Sequence, residues 1–460
     1  MGSIVKKIQR SAGQFDDIYV LPIDKYFIIY SPLRGISAIC DKITVQYLYD
    51  ILFVNNTDYD KQKALGYLLK RISETPPHYP EDTADIPDPY FLGIIPTRAC
   101  NGDCIYCDFD AGRRDNKTMD YHTGIAAIDW MAGRMKELRK EKLEIHFFGG
   151  EPLFAPDVIN VAVHYAKMAA DKKGLIPFFE VSTNGLVSDE ITRFVTEHFN
   201  AVVLSLDGPE EIHNLQRPMR HPGNSFKSAV RFAERVAQSD SQLCLRACIS
   251  TANLNIMPEI TEWFCNTFNP STINFENLKS NKRSDRMNVF EPDPCRFAVQ
   301  FDKSLSVAEK YGVELVNSAI VSDQPQYSSC PVGKDTVIVS PEGTICSCYL
   351  FPQRWKSRGM NLSVGELKDG KIQISQERIM YLREMVKEKP RCTSCFCRWI
   401  CAGGCHVDVT YPGSSLKYDN YCIQTRILGI IKILRSLNQK EILGRSEERR
   451  VGKECRSRWA

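Results

Sequence analysis

No run of apolar residues in this chain approaches the length that a bilayer span requires, which argues against an integral membrane protein. The opening residues Met1-Gly2-Ser3-Ile4-Val5-Lys6-Lys7 lack the long apolar core of a secretory signal, so the cytoplasm is the expected compartment. Net charge is scarce too. The formal total of +3 sits in residues 445–460, where Arg445, Arg449, Arg450, Lys453, Arg456 and Arg458 face Glu447, Glu448 and Glu454. The rest is neutral, so nothing in the charge points to a nucleic-acid partner. That tail, RSEERRVGKECRSRWA, has no apolar periodicity and resembles translated adapter or vector sequence, so it and Cys455 are set aside from fold expectations. Internal repeats are absent as well.

Cysteine, by contrast, is abundant: 18 residues in a chain of 460. A reducing compartment keeps thiols from settling into structural disulfides, so dense cysteine without an export signal points to metal. With 43% hydrophobic residues the chain is able to bury a sizeable core in two or three domains.

Three patterns follow one another. Residues 1–85 read as strands at Asp17 to Ile23, Lys25 to Tyr30 and Gly35 to Cys40, then helices at Thr44 to Phe53 and Lys61 to Ile72. Pro76, Pro77, Pro80, Pro87 and Pro89 mark a linker. Over 90–290, buried strands at Tyr90 to Ile95, Leu143 to Phe148, Phe178 to Ser182, Ala201 to Leu206, Leu243 to Ile249 and Thr272 to Phe275 alternate with amphipathic helices. Those helices are expected at Ile125 to Leu138, Val158 to Asp171, Glu190 to Glu197, Ser225 to Ala237 and Met257 to Thr267. Six β/α units predict an α/β fold, a partial (β/α)6 version of the TIM barrel, with chemistry at the C-terminal strand ends. A bridging region over 291–325 contains a helix near Cys295 to Lys310, and a cysteine-rich region spans 326–440.

Just past the first barrel strand stand Cys100, Cys104 and Cys107, spaced C-x-x-x-C-x-x-C. Three thiolates in one tight loop are able to ligate three irons of a [4Fe-4S] cluster and leave the fourth open; taken alone they also suit a zinc knuckle short of one ligand. After the second strand comes Gly149-Gly150-Glu151-Pro152, where glycines admit close backbone approach and the carboxylate is able to accept from an ammonium. The third strand ends in Ser182-Thr183-Asn184-Gly185 and the fourth in Ser205-Leu206-Asp207-Gly208-Pro209, with Arg217 beyond. These short polar groups suit ribose hydroxyls and a carboxylate, and they serve equally well as caps and turns. His213 reads as structural.

The triplet resembles the signature of the radical S-adenosylmethionine (SAM) superfamily. That resemblance implies that SAM chelates the open iron and is cleaved by one electron to methionine and a 5′-deoxyadenosyl radical, which abstracts hydrogen. It also implies that Tyr106 meets the adenine, that Gly149, Gly150 and Glu151 meet the SAM amino group, and that Ser182, Asn184, Ser205, Asp207 and Arg217 line the remaining SAM contacts.

Further on, Cys330, Gly343, Cys348, Cys392, Cys395, Cys401, Cys405 and Cys422 reproduce the spacing of the SPASM domain, an auxiliary iron-sulfur module. Zinc is the competing reading of the C-x-x-C pairs. By resemblance Cys392, Cys395, Cys401 and Cys422 hold a distal auxiliary [4Fe-4S] cluster, and Cys330, Cys348 and Cys405 a nearer one, for three clusters in all. The nearer set is one ligand short. Cys346 completes it if both cysteines lie on one strand and so share a face; otherwise an iron stays open, and Cys397 is a second spare thiol. Cys40, Cys244, Cys248, Cys265 and Cys295 are expected to be buried hydrophobes.

SPASM proteins modify peptides or proteins. Sulfatase-maturating members place an aspartate after the cysteine where Tyr349 stands here, which counts against formylglycine formation. The segment before the barrel resembles the winged-helix-like α+β domain that takes up leader peptides of ribosomally made natural products by adding them to a sheet edge. The expectation is a peptide maturase that installs an oxidative crosslink, reduced by a flavodoxin or ferredoxin, with no nucleic-acid or membrane partner. Sulfatase maturation is the alternative enzyme, and an iron-sulfur electron carrier the alternative of another class. Catalytic acid or base, peptide identity and oligomeric state are left unassigned by the residues.

Overall fold

The computed structural model describes residues 17–53, 59–80, 89–107, 109, 111, 115–320, 324–330, 332, 336–350, 352–387, 389–409, 418–439 and 442. Residues 445–460, Pro87 and the opening Met1 to Lys7 lie outside them, as do Pro331 and 333–335.

The chain begins with an antiparallel meander, β1 (Tyr19–Ile23), β2 (Tyr26–Ser31) and β3 (Ile36–Cys40), in that order. Ile23 pairs with Tyr26 across a two-residue turn whose Asp24 has φ +47°, the left-handed conformation that short hairpins favour. Helices α1 (Lys42–Phe53), α2 (Tyr59–Ala64) and α3 (Gly66–Glu74) follow. One ion pair ties strands to helices. Arg34 forks onto Asp17, Nε to Oδ2 at 2.8 Å and Nη2 to Oδ1 at 3.1 Å, and its Nη1 donates to the carbonyls of Ile72 at 2.8 Å and Thr75 at 3.0 Å. Both side chains are only 5% exposed, so neither charge has water to fall back on.

Next come β4 (Phe91–Ile94), α4 (Tyr121–Glu137), β5 (Lys142–Phe147), α5 (Pro156–Lys173), β6 (Ile176–Thr183), α6 (Asp189–His198), β7 (Ala201–Ser205), α7 (Glu210–Gln216), α8 (Ser225–Ala237), β8 (Gln242–Ile249), α9 (Met257–Phe268) and β9 (Thr272–Asn277). The six strands are parallel and adjacent in chain order, as the β/α alternation predicts. Leu143, Ile145, Phe147, Phe179, Val181, Val202, Leu204, Leu245 and Phe275 point to one face and join a core with α4, α5, α8 and α9 residues such as Ile128, Val163, Phe232 and Phe264. The other face carries Glu144, His146, Glu180, Ser182, Ser205, Arg246 and Asn274. Alternation of this kind gives the sheet an apolar side under helices and a polar concave side.

The sheet does not stop at six strands. After α10 (Lys282–Arg286) and α11 (Pro294–Tyr311), β10 (Glu314–Val316) adds in parallel to β9, inside the region expected to be only a bridge. At the other edge β11 (Thr336–Val339) pairs in parallel with β4, and β12 (Thr344–Cys346), β13 (Ser363–Lys368) and β14 (Lys371–Ile374) continue antiparallel, giving eleven strands in one sheet. The cysteine-rich region is completed by α12 (Pro352–Lys356), α13 (Gln376–Lys387), α14 (His406–Val409) and α15 (Asn420–Ser436), the last packed on α11. The meander docks against it: Tyr30 meets the Phe396 ring edge-on with centroids 6.3 Å apart, and Tyr19, Leu21 and Ile28 enter the same core as Cys395 and Cys397. No helix among the described residues is long and apolar enough to cross a membrane.

Replacing Arg34 by Leu strands the Asp17 carboxylate, and the local stability of the meander should fall by about 3–5 kcal/mol. Hydrogen exchange over residues 17–75 reads this directly; unchanged protection in Arg34→Leu refutes the anchoring role.

Candidate iron-sulfur and SAM site

Each barrel-mouth segment contributes to the loop that carries Cys100, Cys104 and Cys107. Gly102 bridges Met219, Asp103 N donates to Pro218 O at 2.7 Å, Ile105 N to Gln216 O at 3.0 Å and Arg220 N to Asn101 O at 3.0 Å. The segment after β7 is thus laid alongside the triplet as a short two-stranded clamp. Arg220 Nε adds a bond to Cys100 O at 2.9 Å, and Arg283 binds Asp103 O at 2.6 Å and Cys104 O at 2.8 Å. From β6, Asn184 Nδ2 donates to Asn101 Oδ1 at 2.9 Å and lies 3.8 Å from Cys100 Sγ.

The loop after β5 is pressed against the residues before Cys100. Gly150 N donates to Thr97 O at 3.1 Å and Glu151 N to Ala99 O at 2.8 Å; a Cβ on Gly150 would stand 2.1 Å from Ala99 O, so only glycine fits. The Glu151 carboxylate, 1% exposed, accepts from Leu153 N at 3.1 Å, Thr183 Oγ1 at 2.8 Å and Asn184 N at 2.7 Å. Burial raises its pKa to about 7 against the pull of those three donors.

Asp207, with 0% exposure, organises the far side. It accepts from Tyr106 Oη at 2.5 Å, Gln216 Nε2 at 2.9 Å and Cys248 N at 2.9 Å. Arg217 Nε lies 3.0 Å from Asp207 Oδ2 without hydrogen-bond alignment, its guanidinium sits over the Tyr106 ring at 5.3 Å, and Nη1 is 3.8 Å from Cys104 Sγ. Burial alone would raise the Asp207 pKa; Arg217, His213 and the donors overcome it and hold the carboxyl below its usual range. His213 takes the structural part expected of it, with Nδ1 accepting from Asp207 N at 3.3 Å, and burial pushes it down to about 4 despite Asp207. Cys248, expected to be a buried hydrophobe, packs partly buried against Ile105, Leu278 and Val289 and also lies within electrostatic reach of Asp207 and Arg217. Arg220, Arg283, Gln216 and Asn101 were not singled out by sequence: the two arginines bind main-chain carbonyls, and Gln216 and Asn101 bind side chains distant in sequence, so none leaves a spacing signal.

In the cysteine-rich region two groups form. Cys401 feels Cys395, Cys392 and Cys422, while Cys348 feels Cys330 and Cys405 before Cys346. Cys422 Sγ accepts from Arg391 Nη1 at 3.7 Å. The shared-strand argument for Cys346 does not hold: β12 ends at Cys346 with a register shift at Ile345/Cys346, so Cys348 is off the strand. The charged neighbours of Cys346 are Arg98, Lys356 and Glu342. Cys397 faces Thr425 O at 3.9 Å on the side of α15.

The triplet fits an iron-sulfur cluster on its own geometry. A Cβ on Gly102 would fall 3.6 Å from Cys100 Sγ and 3.9 Å from Cys104 Sγ, so the missing side chain leaves the space between the two free thiols. Gly102 N, 3.3 Å from Cys100 Sγ, and Arg217 supply the donors a thiolate-bound cluster needs. Among the described residues no three His, Cys, Asp or Glu side chains are placed to hold a single metal ion.

Residues 94–267 match the model of the Radical SAM superfamily, and this chain carries a radical SAM domain. A cysteine-type anaerobic sulfatase-maturating enzyme of Clostridium perfringens is 29% identical over 170 residues, 36% of this chain and 45% of the relative. The structure of anSMEcpe with AdoMet and the Cp18Cys peptide superimposes with TM-score 0.60 at 17% identity, covering 76% of this chain and 99% of the other. Streptococcus suis SuiB bound to S-adenosylmethionine gives 0.51 at 14% identity over 85% and 95%. The two structures show the shared fold. In sequence, the chain spans less than half the length of the curated relatives it matches.

A methyl at Gly102 touches neighbours only at 3.4 Å or beyond, so Gly102→Ala should fold normally. It should nevertheless load less iron and sulfide at the triplet, because the methyl enters the space between two thiols. Wild-type iron content in a folded Gly102→Ala protein, measured colorimetrically after anaerobic reconstitution, contradicts the assignment of that space.

Proposed function

We propose that this protein is a radical SAM peptide maturase, in which Cys100, Cys104 and Cys107 hold the [4Fe-4S] cluster and a ribosomally made peptide is oxidatively modified. The observation that carries the reading is the convergence of four strand-end segments on one triplet of free thiols separated by a glycine. When bound, the cluster supplies the electron for SAM cleavage and the hydrogen abstraction that follows. The chain's residues hold and orient. Glu151 has three protein donors, and a carboxylate offers about four acceptor sites, so one site is left for the SAM ammonium. Tyr106 is pinned by its hydroxyl to Asp207, which leaves its backbone beside Cys107 for the adenine. Ser182 and Ser205 offer hydroxyls on the concave side, while Asn184 is held by Asn101 and Leu186 N and acts by positioning. Arg217, drawn to Asp207 and Cys104, places positive charge beside the triplet for a SAM carboxylate.

The substrate class rests on three supports: the sulfatase-maturating relative, the peptide held by anSMEcpe, and the meander. Residues of β1 enter the core shared with the cysteine-rich region, while β3 is an edge strand paired on one side with β2 and with no strand on its other side among the described residues. An open edge is able to accept a leader peptide as a fourth strand, and tethering there raises the concentration of the core peptide at the barrel. The two cysteine groups of 326–440 then serve as auxiliary [4Fe-4S] sites that take up an electron from the product or position it, with the first electron supplied by a flavodoxin or ferredoxin. Sulfatase maturation remains the second reading, favoured by the relative; Tyr349 speaks against it. Its hydroxyl is buried without a hydrogen-bond partner, its ring set against Phe148 at 4.7 Å and Phe91 at 6.5 Å.

Anaerobically reconstituted protein with dithionite and SAM should release 5′-deoxyadenosine, and Cys104→Ala should abolish it; equal release from both removes the radical SAM assignment. In parallel, residues of a short peptide encoded next to this chain should protect β3 from hydrogen exchange. Mass spectrometry separates the two substrates: loss of hydrogens from that peptide supports the maturase, and formylglycine in a sulfatase peptide supports the alternative.

A further inference from the structure

Lys389 occupies a place that the two-cluster reading does not by itself call for. Its Nζ donates to Tyr327 O at 2.7 Å and to Ala402 O. Tyr327 belongs to the strand of chain that leads into Cys330, and Ala402 directly follows Cys401. The two bonds therefore reach one segment from each cysteine group. The stem is equally confined: a Cβ on Gly403 would stand 2.5 Å from Lys389 Cδ and 2.9 Å from Cε. Ala402, Gly403 and Gly404 have φ of +48°, +84° and +66°, so the loop from Cys401 to Cys405 coils in left-handed steps around the lysine. Cys401 belongs to one group and Cys405 to the other, so the loop that joins the groups is wound on this side chain.

The titratable groups that act most on Lys389 include Cys392, Cys401, Cys330 and Arg398. Cys330 and Cys392, one from each group, both feel Lys389 in turn. A partly buried ammonium that donates to neutral carbonyls gains stabilisation from any anion placed nearby. A cluster bound by four thiolates has net charge near −2 when oxidised and gains one more negative charge on one-electron reduction, and nearby cations favour the more negative state.

We infer that the Lys389 ammonium is a charge shared by the two auxiliary sites, one that raises the reduction potentials of both and sets them as a pair. This rests on the proposed auxiliary clusters. The residue acts through the clusters as a positioning charge, and removing it makes reduction of both less favourable by roughly tenfold each, which is ~59 mV for one electron.

The test uses the full chain, reconstituted anaerobically, as wild type, Lys389→Met and Lys389→Arg, with iron content and an EPR-monitored redox titration for each. The triplet cluster is the internal reference. With wild-type iron, Lys389→Met should move both auxiliary midpoints to more negative potential while the triplet signal stays, and Lys389→Arg should keep both near wild type. Unchanged midpoints in a fully loaded Lys389→Met protein overturn the inference, as does an equal shift of all three signals. If Lys389→Met loses auxiliary iron, Lys389→Arg decides: iron retained at wild-type potentials upholds the role of the charge, and iron lost in both reduces the lysine to a structural pin. Wild-type protein that binds iron only at the triplet defeats the auxiliary-cluster reading itself, a result distinct from any of these.

Discussion

A carboxylate with no access to water has to be matched by protein donors, and Asp207 imposes that demand on the whole barrel mouth. Its partners come from the cysteine loop through Tyr106, from α7 through Gln216, from β8 through Cys248 N and from the residue after α7 through Arg217. Gln216 in turn gives its carbonyl to Ile105, between two of the thiols. The position of the triplet is therefore set from below by one buried charge and from the side by the clamp of 216–220. The glycines after β5 complete the arrangement by letting backbone meet backbone where a methyl would collide.

The cysteine-rich region is built into the same frame. Tyr349 follows Cys348, and its ring enters the concave side of the sheet against Phe148, the residue before Gly149. Gly93 permits this, since a Cβ there would lie 2.6 Å from the tyrosine oxygen. A line of packed side chains thus runs from the residue after Cys348 to the loop that follows β5. On the opposite side the meander rests on Phe396, between Cys395 and Cys397. The meander, the barrel and the cysteine-rich region share one hydrophobic core, so their spacing is held by packing and not by linkers.

What could be read from sequence was whatever depends on local spacing. Six barrel strands were legible from apolar runs between helical periods, and the thiol triplet from three cysteines in eight positions with a glycine among them. The order of strands and helices before the barrel was legible for the same reason. Long-range pairing was not. Thr336–Val339 is a four-residue β-branched run that would suit any sheet, and nothing local says that it pairs with β4. Glu314–Val316 is shorter still. The register shift at Ile345/Cys346 defeated the alternation argument for Cys346, because a strand's period of two holds only while its ladder is regular. Arg283 and Arg220 bind main-chain carbonyls, a partner with no residue identity to recognise.

The pairing of β11 with β4 also bears on how such a chain can change over time. The first strand of the barrel has its outer backbone satisfied by a strand that arrives only after the whole barrel has been laid down. Deleting the later part would bare a row of amides and carbonyls beside Phe91 and Leu92, an invitation to intermolecular association. New activities in this architecture are accordingly easier to acquire by remodelling loops at the rim than by shuffling the cysteine-rich portion on and off as an independent cassette.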